Sequence, residues 1–385
     1  MQKVYFDHAA TSFPKPPEVV SAMVAYMERV GSNVGRGGYA SAYEAAGTVL
    51  AARERLCALL GGPDPRNVIF TLNVTEALNM ILKGFLCPGD HVLVSAVEHN
   101  AVMRPLVQLS QTGVAFDRIP CDGEGALCLD ALDGLVRPST RAVVLTHASN
   151  VAGTIQPVAQ VGAFCRAHGL RFIVDCAQTA GMEPVDMGPM GIDALAFTGH
   201  KGLLGPQGTG GFLVTDAFEK ELDPLISGGT GSFSHLETVP ALLPDRFEAG
   251  TLNLPGIYGL HAALGFLEET GIDVIRAWER ALTARFLAAV AEDGRIRVAG
   301  PRTAEGRTAV VSLDFPGRDN AEIAFRLDSE YGVMTRCGLH CAPNAHKTLG
   351  TYPTGTLRFS FGWHNTAEEV NVALQALKEV LAHGL

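Results

Sequence analysis

The feature that most constrains the fold is an alternation of short, β-branched runs with helical patterns between about residue 65 and residue 215. Two of these runs, Val143-Val144-Leu145 and Phe172-Ile173-Val174, are apolar at every position, as in strands buried between two helix layers. The pattern predicts an α/β protein whose large domain has a mainly parallel, seven-stranded sheet between helices. Strands are expected within 67–71, 91–95, 141–146, 171–175, 194–198 and 211–214.

Beyond residue 256 the pattern changes to two long helices, near 258–269 and 273–290, and then to strands near 309–315 and 356–361. A chain of 385 residues exceeds the size at which one hydrophobic core usually stops growing. We therefore predict a large domain over residues 15–256 and a smaller C-terminal α+β domain made of residues 1–14 and 257–385.

Composition excludes several classes of protein. The net charge is −10 and no basic cluster is present, which argues against nucleic-acid binding. No apolar run reaches membrane-spanning length and no signal sequence is evident at the start, so we expect a cytoplasmic protein. The eight cysteines are scattered without a CxxC pair, so neither a disulfide framework nor a metal site is expected.

Lys201 is the first candidate for chemistry. It lies in Thr198-Gly199-His200-Lys201-Gly202, directly after a predicted buried strand. A lysine that is buried or crowded by cations loses its proton more easily and can form an imine with an aldehyde cofactor. Taken alone, Lys201 is better described as a solvated loop lysine.

Asp175 and Thr75 add to this candidate. Asp175 ends a buried strand, where its carboxylate needs a partner such as a protonated pyridine nitrogen, although an aspartate there also serves as a helix cap. Thr75 lies in a strand-to-helix turn that suits a phosphate, and capping the following helix is a compatible role.

Other polar residues also follow predicted strands. Thr198 and His200 can complete the phosphate site, the His99 imidazole can lie on a pyridine face, and Asn150 and Gln178 can bind a phenolic oxygen. Ligands bind at the carboxyl ends of strands in open α/β sheets. One edge therefore collects Thr75, His99, Asn150, Asp175, Gln178, Thr198, His200 and Lys201, which together predict a pyridoxal 5'-phosphate (PLP) site.

The motif series resembles that of the class V aminotransferase family of fold type I PLP enzymes, in the short-loop (group II) type of the cysteine desulfurase and selenocysteine lyase branch. The resemblance extends over nearly the whole chain. Its markers are 5–11 (YFDHAAT), Thr75-Glu76, Glu98-His99, 149–154 (SNVAGT), 174–178 (VDCAQ) and Gly199-His200-Lys201.

The resemblance implies a role for each matching residue. Lys201 is catalytic and binds PLP as a Schiff base, and Asp175 pairs with the pyridine nitrogen. His99 stacks on the ring and is a second catalytic residue. Asn150 and Gln178 flank the phenolic oxygen. The remaining cofactor contacts implied are Thr75, Glu76, Thr198, His200 and, from the neighbouring subunit of a homodimer, Thr251.

The reaction is implied by residues 336–343 (RCGLHCAP), which resemble the loop that carries the nucleophilic cysteine of short-loop desulfurases. Cys341 is the expected nucleophile, in preference to Cys337. Arg336 and His340 are expected to lower the thiol pKa or to position the substrate. The substrate contacts expected are Ala9, Asn150, Arg336, His340 and Arg358, the last of which would hold the amino-acid carboxylate.

The function that these residues imply is a PLP-dependent cysteine desulfurase. It would convert L-cysteine or L-selenocysteine to L-alanine, leave a persulfide on Cys341 and pass the sulfur to an acceptor protein. One alternative keeps PLP but makes the protein a β-lyase, epimerase or aminotransferase. A second alternative is a non-catalytic homologue that acts as a partner protein.

Overall fold

The computed structural model describes residues 3–35 and 37–382. In chain order, the strands of this part of the protein are β1 (Val4–Tyr5), β2 (Val68–Thr71), β3 (His91–Ser95), β4 (Ala115–Ile119), β5 (Thr140–Thr146), β6 (Arg171–Asp175), β7 (Ala194–Thr198), β8 (Gly210–Val214), β9 (Arg297–Ala299), β10 (Val310–Asp314), β11 (Val333–Met334), β12 (Arg336–Gly338) and β13 (Thr356–Ser360).

The helices are α1 (Pro17–Ala25), α2 (Ala40–Leu60), α3 (Val74–Phe85), α4 (Asn100–Ser110), α5 (Leu132–Leu135), α6 (Val158–His168), α7 (Met187–Met190), α8 (Leu254–Thr270), α9 (Ile272–Ala291), α10 (Asn320–Tyr331), α11 (Pro343–Thr348) and α12 (Ala367–Ala382). A π-helical segment, Tyr26–Val30, continues α1 and ends at Gly31 in a left-handed conformation.

Seven strands form the central sheet in the order β2-β8-β7-β6-β5-β3-β4. Only β8 runs antiparallel to its two neighbours, so the sheet is mainly parallel. The predicted α/β fold class is confirmed. The seventh strand, β4, was not among the predicted ranges, because this edge strand carries Asp117 and Arg118 and is only partly buried.

Alternation along the strands explains the two helix layers. Successive side chains of a strand point to opposite faces. In β6, Phe172 and Val174 pack against the layer that contains α1, α2, α6 and α8, whereas Ile173 packs against α3 and α4. Helices therefore bury both faces of the sheet, as the apolar runs predict.

A second sheet, in the order β12-β13-β10-β9, forms the core of a smaller lobe with α10, α12 and the later part of α9. The N-terminal strand β1 pairs in parallel with β11, and Phe6 packs in the same core. The helix α8, in contrast, packs in the core of the large lobe. We therefore propose that the boundary lies within α9 and not at residue 257, since Ile275 packs in the large core and Leu282 in the small one.

Candidate active site

Lys201 follows β7 in a loop that is held from two directions. Gly199 packs against Thr209, whose Oγ1 would lie 2.1 Å from any Cβ added at residue 199. The carbonyl oxygen of His200 accepts hydrogen bonds from the Ser12 N–H at 3.0 Å and the Lys15 ammonium at 2.8 Å. The N-terminal segment therefore fixes the position of the lysine.

The environment of Lys201 favours its neutral amine. Burial lowers the pKa of Lys201 to about 8, and the positive charges of Arg358 and Arg336 act in the same direction. Asp175 and Asp7 oppose this shift by favouring the ammonium. A larger fraction of neutral amine is what imine formation with an aldehyde requires.

Asp175 ends β6 and is almost completely buried. Its Oδ1 accepts a hydrogen bond from the Ala177 N–H at 2.9 Å, and burial raises the pKa of this carboxyl. One hydrogen bond from a backbone N–H offsets only a small part of the free-energy cost of burying a carboxylate. The site therefore favours a cationic partner, and no helix begins at residue 176 for Asp175 to cap.

His99 caps α4 and presents a neutral imidazole. Its Nδ1 accepts a hydrogen bond from the Ala101 N–H at 3.0 Å, which places the ring proton on Nε2. Burial, followed by the charges of Lys201 and Arg358, lowers the pKa of His99 to about 4. The ring is therefore uncharged at neutral pH.

Glu98, for which no role was predicted, joins the ends of two strands. Its Oε1 accepts hydrogen bonds from the Ser95 Oγ at 2.5 Å and from the Thr146 N–H at 2.8 Å, whereas Oε2 has no hydrogen-bond partner in the described chain. Burial raises the pKa of Glu98 to about 8. The carboxyl is therefore protonated at neutral pH and fixes the backbone beside His99.

The start of α3 offers donors for an anion. The Asn73 side chain accepts from the Glu76 N–H at 3.0 Å, and the Glu76 carboxylate accepts from the Leu72 N–H at 2.6 Å. Glu76 is thus engaged in capping, while Thr75 is exposed. The turn lies against Gly210, which pairs with Thr198 across the sheet, so the helix start is close to the end of β7.

Arg358 lies on β13 and is buried. It donates to the Asp7 carboxylate at 2.8 Å and to the Asn150 carbonyl oxygen at 3.0 Å. Arg336, its partner in the strand register, also binds Asp7 at 3.0 Å. Sequence reasoning assigned no role to Asp7, although the residue stood within the segment that carried the family resemblance.

The loop with Cys341 is strained and anchored. His340 and Cys341 have φ angles of 48° and 58°, a left-handed conformation that non-glycine residues rarely adopt. The His340 carbonyl accepts from the Asn150 side chain at 2.7 Å, and the Cys341 carbonyl accepts from the Asn100 N–H at 2.8 Å. These bonds place Cys341 beside the residue that follows His99 and leave its side chain exposed.

His340 does not supply the positive charge that we predicted as one way to lower the thiol pKa. Burial lowers the pKa of His340 to about 2, and its Nε2–H donates to the Thr356 carbonyl oxygen at 3.1 Å. The imidazole is therefore neutral, and an effect of His340 on the pKa of the Cys341 thiol stays a prediction. The alternative role, positioning, stays a prediction.

The family model described as Aminotransferase class-V matches residues 4–372. The chain belongs to the class-V aminotransferase family. The predicted family is thereby confirmed, and it accounts for the arrangement of the strand-end residues around Lys201.

Individual relatives are similar over almost their whole length. A probable cysteine desulfurase of Methanothermobacter thermautotrophicus is 34% identical over 99% of this chain and 95% of that protein. The cysteine desulfurase CsdA of Escherichia coli is 34% identical over 98% and 94%, respectively. The solved apo structure of a cysteine desulfurase from Thermococcus onnurineus NA1 has a TM-score of 0.91 at 32% identity and covers 99% of this chain and 95% of that one.

PLP is the cofactor of class-V aminotransferases, and the residues near Lys201 fit it. Thr198 Oγ1 and His200 Nδ1 are buried without a hydrogen-bond partner in the described chain, beside the start of α3. Such atoms are expected to bind a group from outside the chain, and a phosphate meets that need. Asp175 would supply the negative charge for a protonated pyridine nitrogen.

Four predicted contacts are engaged elsewhere or lie apart. The Gln178 side-chain amide donates to the Ala9 carbonyl oxygen at 3.1 Å, and the Asn150 side-chain amide donates to the His340 carbonyl oxygen at 2.7 Å, so one N–H of each amide is engaged within the chain. Ala9 also donates its N–H to Ser360 Oγ at 2.9 Å. Thr251 is exposed and lines a cleft with Thr71 and Gly208. The roles of these residues stay predictions.

All eight cysteines, which lie within the described residues, are free thiols. Across residues 3–35 and 37–382, the helices are too short or too polar to pass through a bilayer.

Proposed function

We propose that this protein is a PLP-dependent cysteine desulfurase, which converts L-cysteine or L-selenocysteine to L-alanine and leaves a persulfide on Cys341. The observation that carries the proposal is the placement of Cys341. An exposed thiol lies on a strained loop that is tied by hydrogen bonds to Asn100 and Asn150, at the edge where Lys201 and His99 meet.

Each residue of the site has a defined task. Arg358 has a planar guanidinium that suits the substrate carboxylate. The neutral His99 ring stacks without adding charge. Lys201 takes the proton from the substrate α-carbon, and burial keeps enough of its amine neutral to do so.

When bound, PLP withdraws electrons from the substrate α-carbon. The Cys341 thiolate attacks the substrate sulfur, a sulfur–sulfur bond forms, and the electron pair of the carbon–sulfur bond stays on the substrate carbon. Lys201 delivers one proton to that β-carbon, a second proton returns to the α-carbon in place of the one removed, and alanine leaves. Cys341 is therefore the residue that distinguishes desulfuration from β-lyase, epimerase or aminotransferase chemistry.

We further propose a cytoplasmic homodimer in which Thr251 contacts the cofactor phosphate of the partner subunit. Exposed apolar side chains on α1, the π-helical segment that continues it, α2 and the segment 225–242 support an interface, because burial in a dimer would remove them from water. They include Val20, Met27, Tyr43, Leu50, Leu225 and Leu242. A sulfur-acceptor protein would take the sulfur from Cys341.

The test is to incubate the holoenzyme and its Cys341→Ala variant with L-cysteine or L-selenocysteine. Alanine release is measured, together with the mass of the peptide that contains residue 341. We expect alanine and a sulfur adduct for the wild type and neither for the variant, while Cys337→Ala, the matched control, retains both. Equal alanine release by Cys341→Ala would contradict the proposal, and pyruvate or an exchanged amino group would identify one of the alternative reactions.

A further inference from the structure

A small cavity lies between the two lobes and reaches Lys201. It has about 50 Å³ of space for the centres of water molecules, which is room for roughly three to five waters. This is far below the several hundred Å³ of an organic ligand site. The lining includes Lys201 and Met182 from the large lobe, Val310 and Phe361 from the small lobe, and Glu279 from α9.

Glu279 is a buried carboxyl without a protein partner. Only 4% of its surface is exposed, and no residue of the described chain donates a hydrogen bond to its side chain. The nearby Glu183 differs, because it is paired with Arg280 at 3.1 Å and Arg276 at 3.6 Å. A buried polar group without a protein partner is expected to be satisfied by water, and the cavity provides the space.

The surroundings suit a carboxyl that both donates and accepts protons. Burial, followed by the Glu183 charge, raises the pKa of Glu279 well above its usual value and so favours the protonated carboxyl. His8, which also lines the cavity, is neutral because burial lowers its pKa to about 4. The two arginines at Glu183 are 24% and 41% exposed, so the lining extends from the buried lysine to the surface.

We propose that this cavity is a proton passage, in which Glu279 and enclosed waters exchange the protons of Lys201 with solvent. The inference rests on the proposed desulfurase reaction, in which Lys201 holds the substrate α-proton before it delivers a proton to the β-carbon. During exchange, the lysine ammonium releases one proton to a water and receives another from the chain of waters. The charge and the number of protons on Lys201 are unchanged.

The passage predicts the fate of a labelled hydrogen. We would supply the holoenzyme with L-cysteine deuterated at the α-carbon, in ordinary water, and measure deuterium in the alanine methyl group by mass spectrometry. Exchange in the wild type should remove most of the deuterium. Without exchange, at most about one third of the methyl groups should receive it, because the ammonium carries three equivalent hydrogens.

Two variants close the passage to different degrees. Glu279→Leu removes the polar group at similar volume and should raise the transferred deuterium several-fold towards that limit. Glu279→Gln keeps a polar side chain that does not ionise and should give an intermediate increase. The matched control is Glu292→Gln, an exposed glutamate at the end of the same helix, which should behave as the wild type. A purely structural role for Glu279 would change the rate or stability and leave the label distribution unaltered.

Equal deuterium transfer in the wild type and both Glu279 variants would overturn the proposed proton passage. Transfer that already reaches the limit of about one third in the wild type would also overturn it. If no protein releases alanine, the proposed function fails, and a crystal structure then decides the passage separately. We expect ordered waters that link the Glu279 carboxyl to Lys201 Nζ in the wild type and a broken chain in Glu279→Leu. A dry cavity in the wild type would overturn the inference.

Discussion

Replacing Glu98 by glutamine tests whether this buried carboxyl holds its proton in the folded protein. Burial raises the folded pKa from the ordinary value of 4.5 to about 8. Between these two values the unfolded chain has released a proton that the folded protein still holds. The free energy of unfolding therefore falls as pH rises through this window.

The size of the effect follows from the same two values. Each pH unit within the window lowers the free energy of unfolding by about 1.4 kcal/mol, so the loss is roughly 3 kcal/mol at pH 7 and approaches roughly 5 kcal/mol at pH 8. Glutamine retains an oxygen for the hydrogen bonds from Ser95 and Thr146 and does not titrate. We expect Glu98→Gln to be close to the wild type at pH 5 and more stable by roughly 3 kcal/mol at pH 7.

The assay is urea unfolding of the wild type and the variant between about pH 5 and about pH 8, at matched protein concentration. The difference between the two free energies of unfolding should grow by about 1.4 kcal/mol per pH unit. Glu54→Gln, on the exposed face of α2, is the control and should show no such slope. Parallel pH profiles for Glu98→Gln and the wild type would refute the reasoning.

Three further predictions concern the site itself. Because the pKa of Lys201 is lowered to about 8, the rate of PLP uptake by cofactor-free protein, followed by absorbance, should level off above about pH 8 and not continue to rise towards pH 10. Asp7→Asn leaves the buried Arg358 without its anion, so we expect a loss of roughly 3 kcal/mol in unfolding free energy and a larger change in KM for cysteine than in kcat. Gly199→Ala forces a Cβ against Thr209, so thermal unfolding should reveal a loss of about 1–3 kcal/mol and titration a weaker affinity for PLP.

Local patterns were sufficient to predict the strands that position the site. Apolar runs such as Phe172-Ile173-Val174 mark buried strands, and parallel strands present their carboxyl ends at one edge. The sequence is therefore sufficient to group Asp175 and His99 at this edge. The edge strand β4 was not predicted, because Asp117 and Arg118 interrupt the apolar pattern.

Contacts between distant parts of the chain could not be predicted in this way. Asp7 is paired with Arg358, which is 351 positions away, and no local pattern indicates this pair. The neutral state of His340 depends on burial produced by the tertiary fold. The same is true of Glu279, which reads as an ordinary helix residue and becomes unusual only when two lobes enclose it.

The attachment of the N-terminal segment to the Lys201 loop has a consequence for biosynthesis. Ser12 and Lys15 hold the His200 carbonyl, whereas β1 pairs with β11, more than 300 residues later. The ribosome therefore synthesises β1 long before its partner β11. The two strands can pair only after nearly the whole chain has been translated. Nascent chains that lack the last strands would contain Lys201 but not the complete set of contacts that positions its loop, so the site assembles only near the end of translation.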